Sequence, residues 1–149
     1  MAGVVIAEVL SGSGATTRSA PRLPSETLVA PRVSVADLRG EPAAINFWAS
    51  WCDPCRKEAA GFAALGRSLR DARLVGVDWS DSEGGARAFV RRYRWTFPVL
   101  RDPNGTAGDA YGIRGLPTTF ILDSHARIVQ VLRGPQSADD IRRALASVD

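Results

Sequence analysis

Ala43-Ala44-Ile45-Asn46-Phe47-Trp48-Ala49-Ser50-Trp51-Cys52-Asp53-Pro54-Cys55-Arg56-Lys57-Glu58 is the stretch from which the rest of the chain can be ordered. Its first part, Ala43 to Trp48, follows the turn residues Gly40-Glu41-Pro42 and is mostly apolar, as in a strand buried on both faces. From Asp53 to Arg70, Phe62, Leu65 and Leu69 recur at spacings of three and four, with Ala59, Ala60, Ala63 and Ala64 between them, which predicts a helix. Cys52 and Cys55 therefore fall where a central strand gives way to a helix. Cβ atoms three residues apart on a helix lie about 5–6 Å from one another, so the pair can exchange between dithiol and disulfide. Cys52 meets the positive end of the helix dipole and is expected to attack as a thiolate, with Cys55 resolving. Pro54 suits the first helical turn, where a missing N–H is tolerated, and it limits the loop's freedom to separate the sulfurs.

Working outward, Leu74 to Val77 reads as a strand and Ser82 to Tyr93 as a helix started by Asp81 or Ser82. Phe97 to Leu100 reads as a strand before the turn Asp102-Pro103-Asn104-Gly105. Thr118 to Leu122 and Ile128 to Leu132 form a hairpin around Asp123-Ser124-His125-Ala126, and Ser137 to Val148 is a capped closing helix. The alternation predicts an α/β fold with a mixed, mostly parallel central sheet flanked by helices.

At 149 residues the chain is one domain, large enough to fold without a metal or a structural disulfide. Its formal charge of +3 is too small to mark a nucleic-acid partner. Lys57 is the only lysine among 19 Lys and Arg residues. Arg87, Arg91, Arg92 and Arg94 read as a solvated helix face, with an acidic docking partner as the sharper alternative. Residues 1–25, with the Ser/Gly run Ser11 to Thr17 and then Pro21 and Pro24, read as a flexible leader or the trimmed stub of a membrane anchor. The domain proper is expected over 26–149. No stretch approaches a membrane-spanning length, and no basic start precedes an apolar core as in a secretory signal.

Three blander readings of the cysteines compete. Zinc wants four ligands, and only His125 accompanies the pair, so no metal is expected. A structural disulfide would close too short a loop to stabilise much. Two incidental buried thiols are the third.

Within the quoted stretch, Ile45 to Glu58 resembles the active-site segment of thioredoxin-fold thiol–disulfide oxidoreductases, closest to their TlpA/ResA/DsbE-like, AhpC/TSA-redoxin-related branch. Phe97-Pro98-Val99-Leu100-Arg101-Asp102 and Tyr111-Gly112-Ile113-Arg114-Gly115-Leu116-Pro117-Thr118-Thr119-Phe120-Ile121-Leu122-Asp123 agree with it, and the likeness spans about residues 26–148. The resemblance implies a thioredoxin-like fold with an N-terminal β extension. It also implies that Pro117 is a cis-proline facing the cysteines and that Leu116 offers its backbone to a substrate strand, beside Thr118. Sequence alone allows a trans turn proline at 117.

Glu58 matches the glutamate that follows the cysteines in ResA-like chains, where it is tied to thiol acid–base behaviour. The bland reading is a solvated glutamate favoured by the helix dipole. Ordinary thioredoxin has a buried aspartate where this chain has Asn46, which cannot take a proton, so Glu58 is the better base for Cys55. Asp53, between the cysteines, opposes a Cys52 thiolate and favours electron donation over oxidation. Trp51 is expected to be exposed for substrate, Trp48 is as readily core, and Trp79 and Trp95 are expected to pack. His125 is expected to be idle. Gly112 to Gly115 lacks the spacing of a phosphate loop.

The leading expectation is a protein-disulfide reductase cycling through Cys52 and Cys55, with no prosthetic group, an upstream thiol donor and protein thiols or disulfides as partners. A role in cytochrome c maturation, a location outside the bacterial cytoplasmic membrane and a monomeric state are expected with it. The alternatives are a disulfide oxidase, a thiol peroxidase and a redox-inert binding module or metallochaperone. A peroxidase would want Thr-x-x-Cys, but Ala49 stands three residues before Cys52.

Overall fold

The computed structural model describes residues 6–9, 17–69 and 73–148, the first of these for their backbone alone. Strands β1 (Ile6–Val9), β2 (Arg18–Ser19), β3 (Glu26–Val29) and β4 (Ala43–Trp48) precede helix α1 (Asp53–Ser68). Then come β5 (Leu74–Trp79), α2 (Glu83–Tyr93), β6 (Val99–Asp102), α3 (Thr106–Tyr111), β7 (Thr118–Leu122), β8 (Arg127–Arg133) and α4 (Ala138–Ala146). They build one sheet in the order β1-β8-β7-β4-β5-β6-β3, with β2 also against β8. β4, β5 and β6 run parallel, but β7 is antiparallel to β4, and the β1–β8, β2–β8, β7–β8 and β3–β6 pairs are antiparallel too. The sheet is thus mixed as expected but not mostly parallel: the N-terminal strands and the closing hairpin add antiparallel edges to a short parallel centre.

All six residues of β4 are buried, as a strand covered on both faces requires. Its side chains alternate between two cores. Ala44 and Trp48 join Phe62 of α1, Phe89 of α2 and Ile141 of α4, whereas Ile45 and Phe47 join Leu38, Tyr111 of α3 and Phe120. Asn46, of the same parity as Trp48, therefore points to the face that α1 covers. Trp48 stacks on Phe89 with ring centroids 4.6 Å apart and meets Trp95 edge-on at 4.9 Å. Trp48 and Trp95 are thus core, and the Trp95 indole N–H is satisfied by the carbonyl of Ala59 at 2.8 Å.

Several boundaries differ from the sequence expectations. α1 ends at Ser68, with Leu69 already extended; residues 70–72, with the expected helix end at Arg70, lie outside the described residues. β6 begins at Val99 instead of Phe97. Pro98 has no N–H to give a ladder, although its carbonyl accepts from Gly76 N at 2.9 Å. Asp102, expected in a turn, closes β6, and its carboxylate accepts from Ala107 N at 3.0 Å and Gly108 N at 2.8 Å. This starts α3, a six-residue helix too short to show apolar periodicity. Ser82, not Asp81, caps α2, accepting from Gly85 N at 3.1 Å.

The boundary at residue 25 does not mark the edge of the packed structure. β1 and β2 pair with β8, Leu23 is buried, and Tyr111 Oη donates to the carbonyl of Pro21 at 2.8 Å. Pairing an edge strand satisfies backbone groups that a free leader would leave to water. Of the Ser/Gly run Ser11 to Thr17, residues 11–16 lie outside the described residues.

Candidate active site

β4 delivers the site at its carboxyl end, where Trp48 gives way to Ala49, Ser50 and Trp51 before α1 begins. Because β7 is antiparallel to β4, its first residue lies beside the last turn of β4, with Thr118 opposite Phe47. Pro117 immediately precedes Thr118, which puts it at the start of β7 next to the carboxyl end of β4, and the Leu116–Pro117 peptide is cis, as the resemblance implied. The Ala30–Pro31 peptide is also cis, which nothing in the sequence indicated.

Cys52 and Cys55 are joined in a disulfide with Cα atoms 5.3 Å apart. Cys52 is the N-cap of α1, and its sulfur accepts from Cys55 N at 3.3 Å, so the sulfur sits on the unpaired N–H groups of the first turn. Pro54 occupies that first turn. Cys52 reaches a groove of about 510 Å³ lined by Trp51, Asp53, Pro54, Trp79, Ile113, Arg114, Gly115 and Leu116. Cys55 is 1 % exposed and lies behind it. Cys52 is itself 5 % exposed, so the two sulfurs differ in lining the groove more than in burial.

Glu58 is 2 % exposed, which overturns the reading of a solvated first-turn glutamate. Its Oε1 accepts from Asn46 Nδ2 at 2.8 Å and its Oε2 from Gln136 N at 3.1 Å, tying α1 to β4 and to the loop before α4. Asn46 Nδ2 also donates to Thr119 Oγ1 at 3.1 Å, while Asn46 Oδ1 is buried with no hydrogen-bond partner among the described residues. Burial pushes the Glu58 carboxyl up to about 8, against the pull of both hydrogen bonds. A carboxyl that titrates there, one helical turn beyond Cys55, can hold or take a proton near neutral pH.

Asp53 departs from its expected weight. Its side chain is 83 % exposed and ion-paired with Arg56, whose other nitrogen donates to the Ser50 carbonyl at 3.1 Å. Solvent and this cation blunt its repulsion of a Cys52 thiolate. Thr118 is also not open to substrate: it is 2 % exposed, and its hydroxyl donates to the carbonyl of Gly115 at 2.7 Å. Leu116 does line the groove, and Trp51 is 55 % exposed beside it.

Three groups of residues escaped sequence reasoning. Trp79 was expected only to pack, yet it lines the groove with its ring centroid 6.3 Å from that of Trp51. Ile113 and Arg114 reach the groove from a segment that the resemblance included, but neither residue carried an expected role. Asp81 grips the active-site turn, accepting from Ser50 N at 2.8 Å and Ser50 Oγ at 2.8 Å, while Ser80 offers its carbonyl to Trp51 Nε1 at 3.0 Å. Arg101, ion-paired to Asp78 and Glu26, holds that loop by donating to the Asp81 carbonyl at 2.8 Å. The outward Ser-Asp-Ser run after β5 was the available signal, since such residues bind nearby backbone.

The chain belongs to the AhpC/TSA family, which it matches over residues 17–131. It is 26% identical over 88% of its length to the thiol-disulfide oxidoreductase ResA of Bacillus thuringiensis, covering 77% of that protein. A DsbF homologue from Corynebacterium diphtheriae superposes with a TM-score of 0.81 at 26% identity, over 99% of this chain and 96% of that one. A secreted thiol-disulfide isomerase from Corynebacterium glutamicum shares the fold, with a TM-score of 0.79 at 19% identity over 97% and 92% of the two chains. With its disulfide in the thioredoxin-like position, this chain is a thiol–disulfide oxidoreductase.

Proposed function

We propose that the protein works as a reductase of protein disulfides. The observation that carries this direction is Glu58, a carboxyl buried one turn beyond Cys55. A buried carboxyl disfavours a neighbouring thiolate, and a dithiol whose thiolates are poorly stabilised gives up its electrons readily. In the cycle, the Cys52 thiolate attacks one sulfur of a substrate disulfide, breaking that bond and releasing the first substrate thiol. Ionised Glu58 takes the Cys55 proton. The Cys55 thiolate then displaces the second substrate thiol from Cys52 and closes the Cys52–Cys55 bond. The substrate gains two electrons and the pair loses two, which an upstream thiol donor restores.

Leu116 lines the groove, and in this reading its backbone, with Pro117 next to it, aligns an extended substrate segment. Misoxidised protein thiols, apocytochrome c among them, are the client class that the branch suggests, and a site outside the cytoplasmic membrane accords with it. Among the described residues no helix is long and apolar enough to cross a membrane.

Thiol trapping with mass spectrometry in graded dithiothreitol or glutathione buffers tests the direction. A potential near ~−270 mV or below is expected, and one near ~−120 mV would make the protein a disulfide donor instead. Because Asp53 is exposed and paired, Asp53→Asn should shift that potential by less than ~20 mV, the scale of a surface ion pair. A larger shift would restore Asp53 as the main determinant.

A further inference from the structure

We propose that the groove beside Cys52 selects cysteine-bearing peptide segments that present an apolar side chain to Trp51 and Trp79 and an acidic side chain to Arg114. The proposal rests on the oxidoreductase reading and names the substrate class for that site.

The apolar half follows from an exposure that packing would ordinarily remove. Trp51 is the one exposed large hydrophobic residue among the described residues. It is held there, since its indole N–H donates to Ser80 O and its ring lies against Trp79. Apolar surface kept exposed beside a reactive sulfur and rimmed by polar groups marks an interaction site. Trp79, the facing wall, is set by α3: a Cβ at Gly108 would stand 2.4 Å from its indole edge, so glycine there lets the ring seat against the helix. With Ile113 and Leu116 the two indoles complete a groove whose shape is in place before substrate arrives.

The acidic half follows from which charges are already paired. Asp53 is bound by Arg56, Asp81 by Ser50 and Ser82, and Glu83 by Arg87. Arg114 lines the groove, is exposed, and has no ion-pair partner among the described residues. On the other side of Ser50, Arg56 and Arg92 line a neighbouring hollow. An approaching acid therefore meets a cation with no ion-pair partner among the described residues, whereas a base meets acids already ion-paired or hydrogen-bonded. Such complementarity acts mainly on association rate and falls with salt.

The test is single-turnover reduction of disulfide peptides by pre-reduced, desalted protein. The peptides share one frame and differ only in Glu, Gln or Lys beside the cysteine and in Leu or Ser at the next position. Each rate is divided by that of dithiothreitol with the same peptide, which removes intrinsic differences in disulfide reactivity. The Glu peptide is expected to react about tenfold faster than the Lys peptide, with the gap narrowing as salt is raised. Arg114→Glu should reverse that order, Arg114→Gln should abolish it, and both should keep the preference for Leu over Ser. Equal rates for Glu and Lys peptides, or a Glu preference that survives Arg114→Glu, would overturn the proposal while leaving the oxidoreductase reading intact. Failure of the wild-type protein to reduce any peptide that dithiothreitol reduces would overturn both.

Discussion

Cys52→Ser is expected to lower the rate of disulfide reduction at least ~1,000-fold, whereas Cys55→Ser should still attack substrate and then stop as a mixed disulfide. The two substitutions differ because the fold separates the sulfurs by access. Cys52 faces the groove from the N-cap of α1, on N–H groups that stabilise its thiolate, and Cys55 is sealed behind it. Intact-mass measurement after exposure to an oxidised cysteine peptide checks this. Cys55→Ser should gain the mass of one peptide at Cys52, and Cys52→Ser should gain almost none. An adduct on Cys52→Ser and none on Cys55→Ser would reverse the order of attack and remove the role assigned to the helix N-terminus.

The quoted stretch from Ala43 to Glu58 made much of this site legible, since a strand–turn–helix with two cysteines leaves few ways to arrange the sulfurs. Pro117 was legible only through resemblance. Its place next to the carboxyl end of β4 depends on β7 running antiparallel to that strand, a long-range pairing that no local pattern encodes. The same limit hid Trp79 and Arg114, which reach the groove from β5 and from the loop after α3. Asp53 misled for a related reason: its charge is evident in the sequence, but its exposure and its Arg56 partner are properties of the fold. Glu58 was the converse case. Spacing placed it on the side of Cys55, yet only the alternation of β4, which aims Asn46 at α1, shows why a carboxylate there is buried and hydrogen-bonded instead of solvated.

Glu58→Gln should remove a substantial part of the loss of stability that the oxidised protein suffers between mildly acidic and alkaline pH. Burial raises Glu58 from its ordinary 4.5 to about 8, so the folded chain binds this proton more tightly than the unfolded chain does. Its contribution is therefore fully present below about pH 4.5 and is lost as pH rises through about 8, on the order of 1.4 kcal/mol per pH unit across that window. Glutamine has no proton to lose. Its carbonyl can accept from Gln136 N as Glu58 Oε2 does, and its amide can donate to Asn46 Oδ1 once Asn46 turns its own amide. Asp78, also raised to about 8 by burial and by Asp81, contributes with the same sign, so part of the slope remains in the variant. Urea unfolding of the disulfide form at pH 5 and pH 9 separates the two, because neither cysteine titrates in that state. The variant should match the wild type within about 1–2 kcal/mol at pH 5 and exceed it by a few kcal/mol at pH 9. An unchanged difference between the two pH values would mean that Glu58 is ionised across the range and cannot be the group that holds a proton beside Cys55.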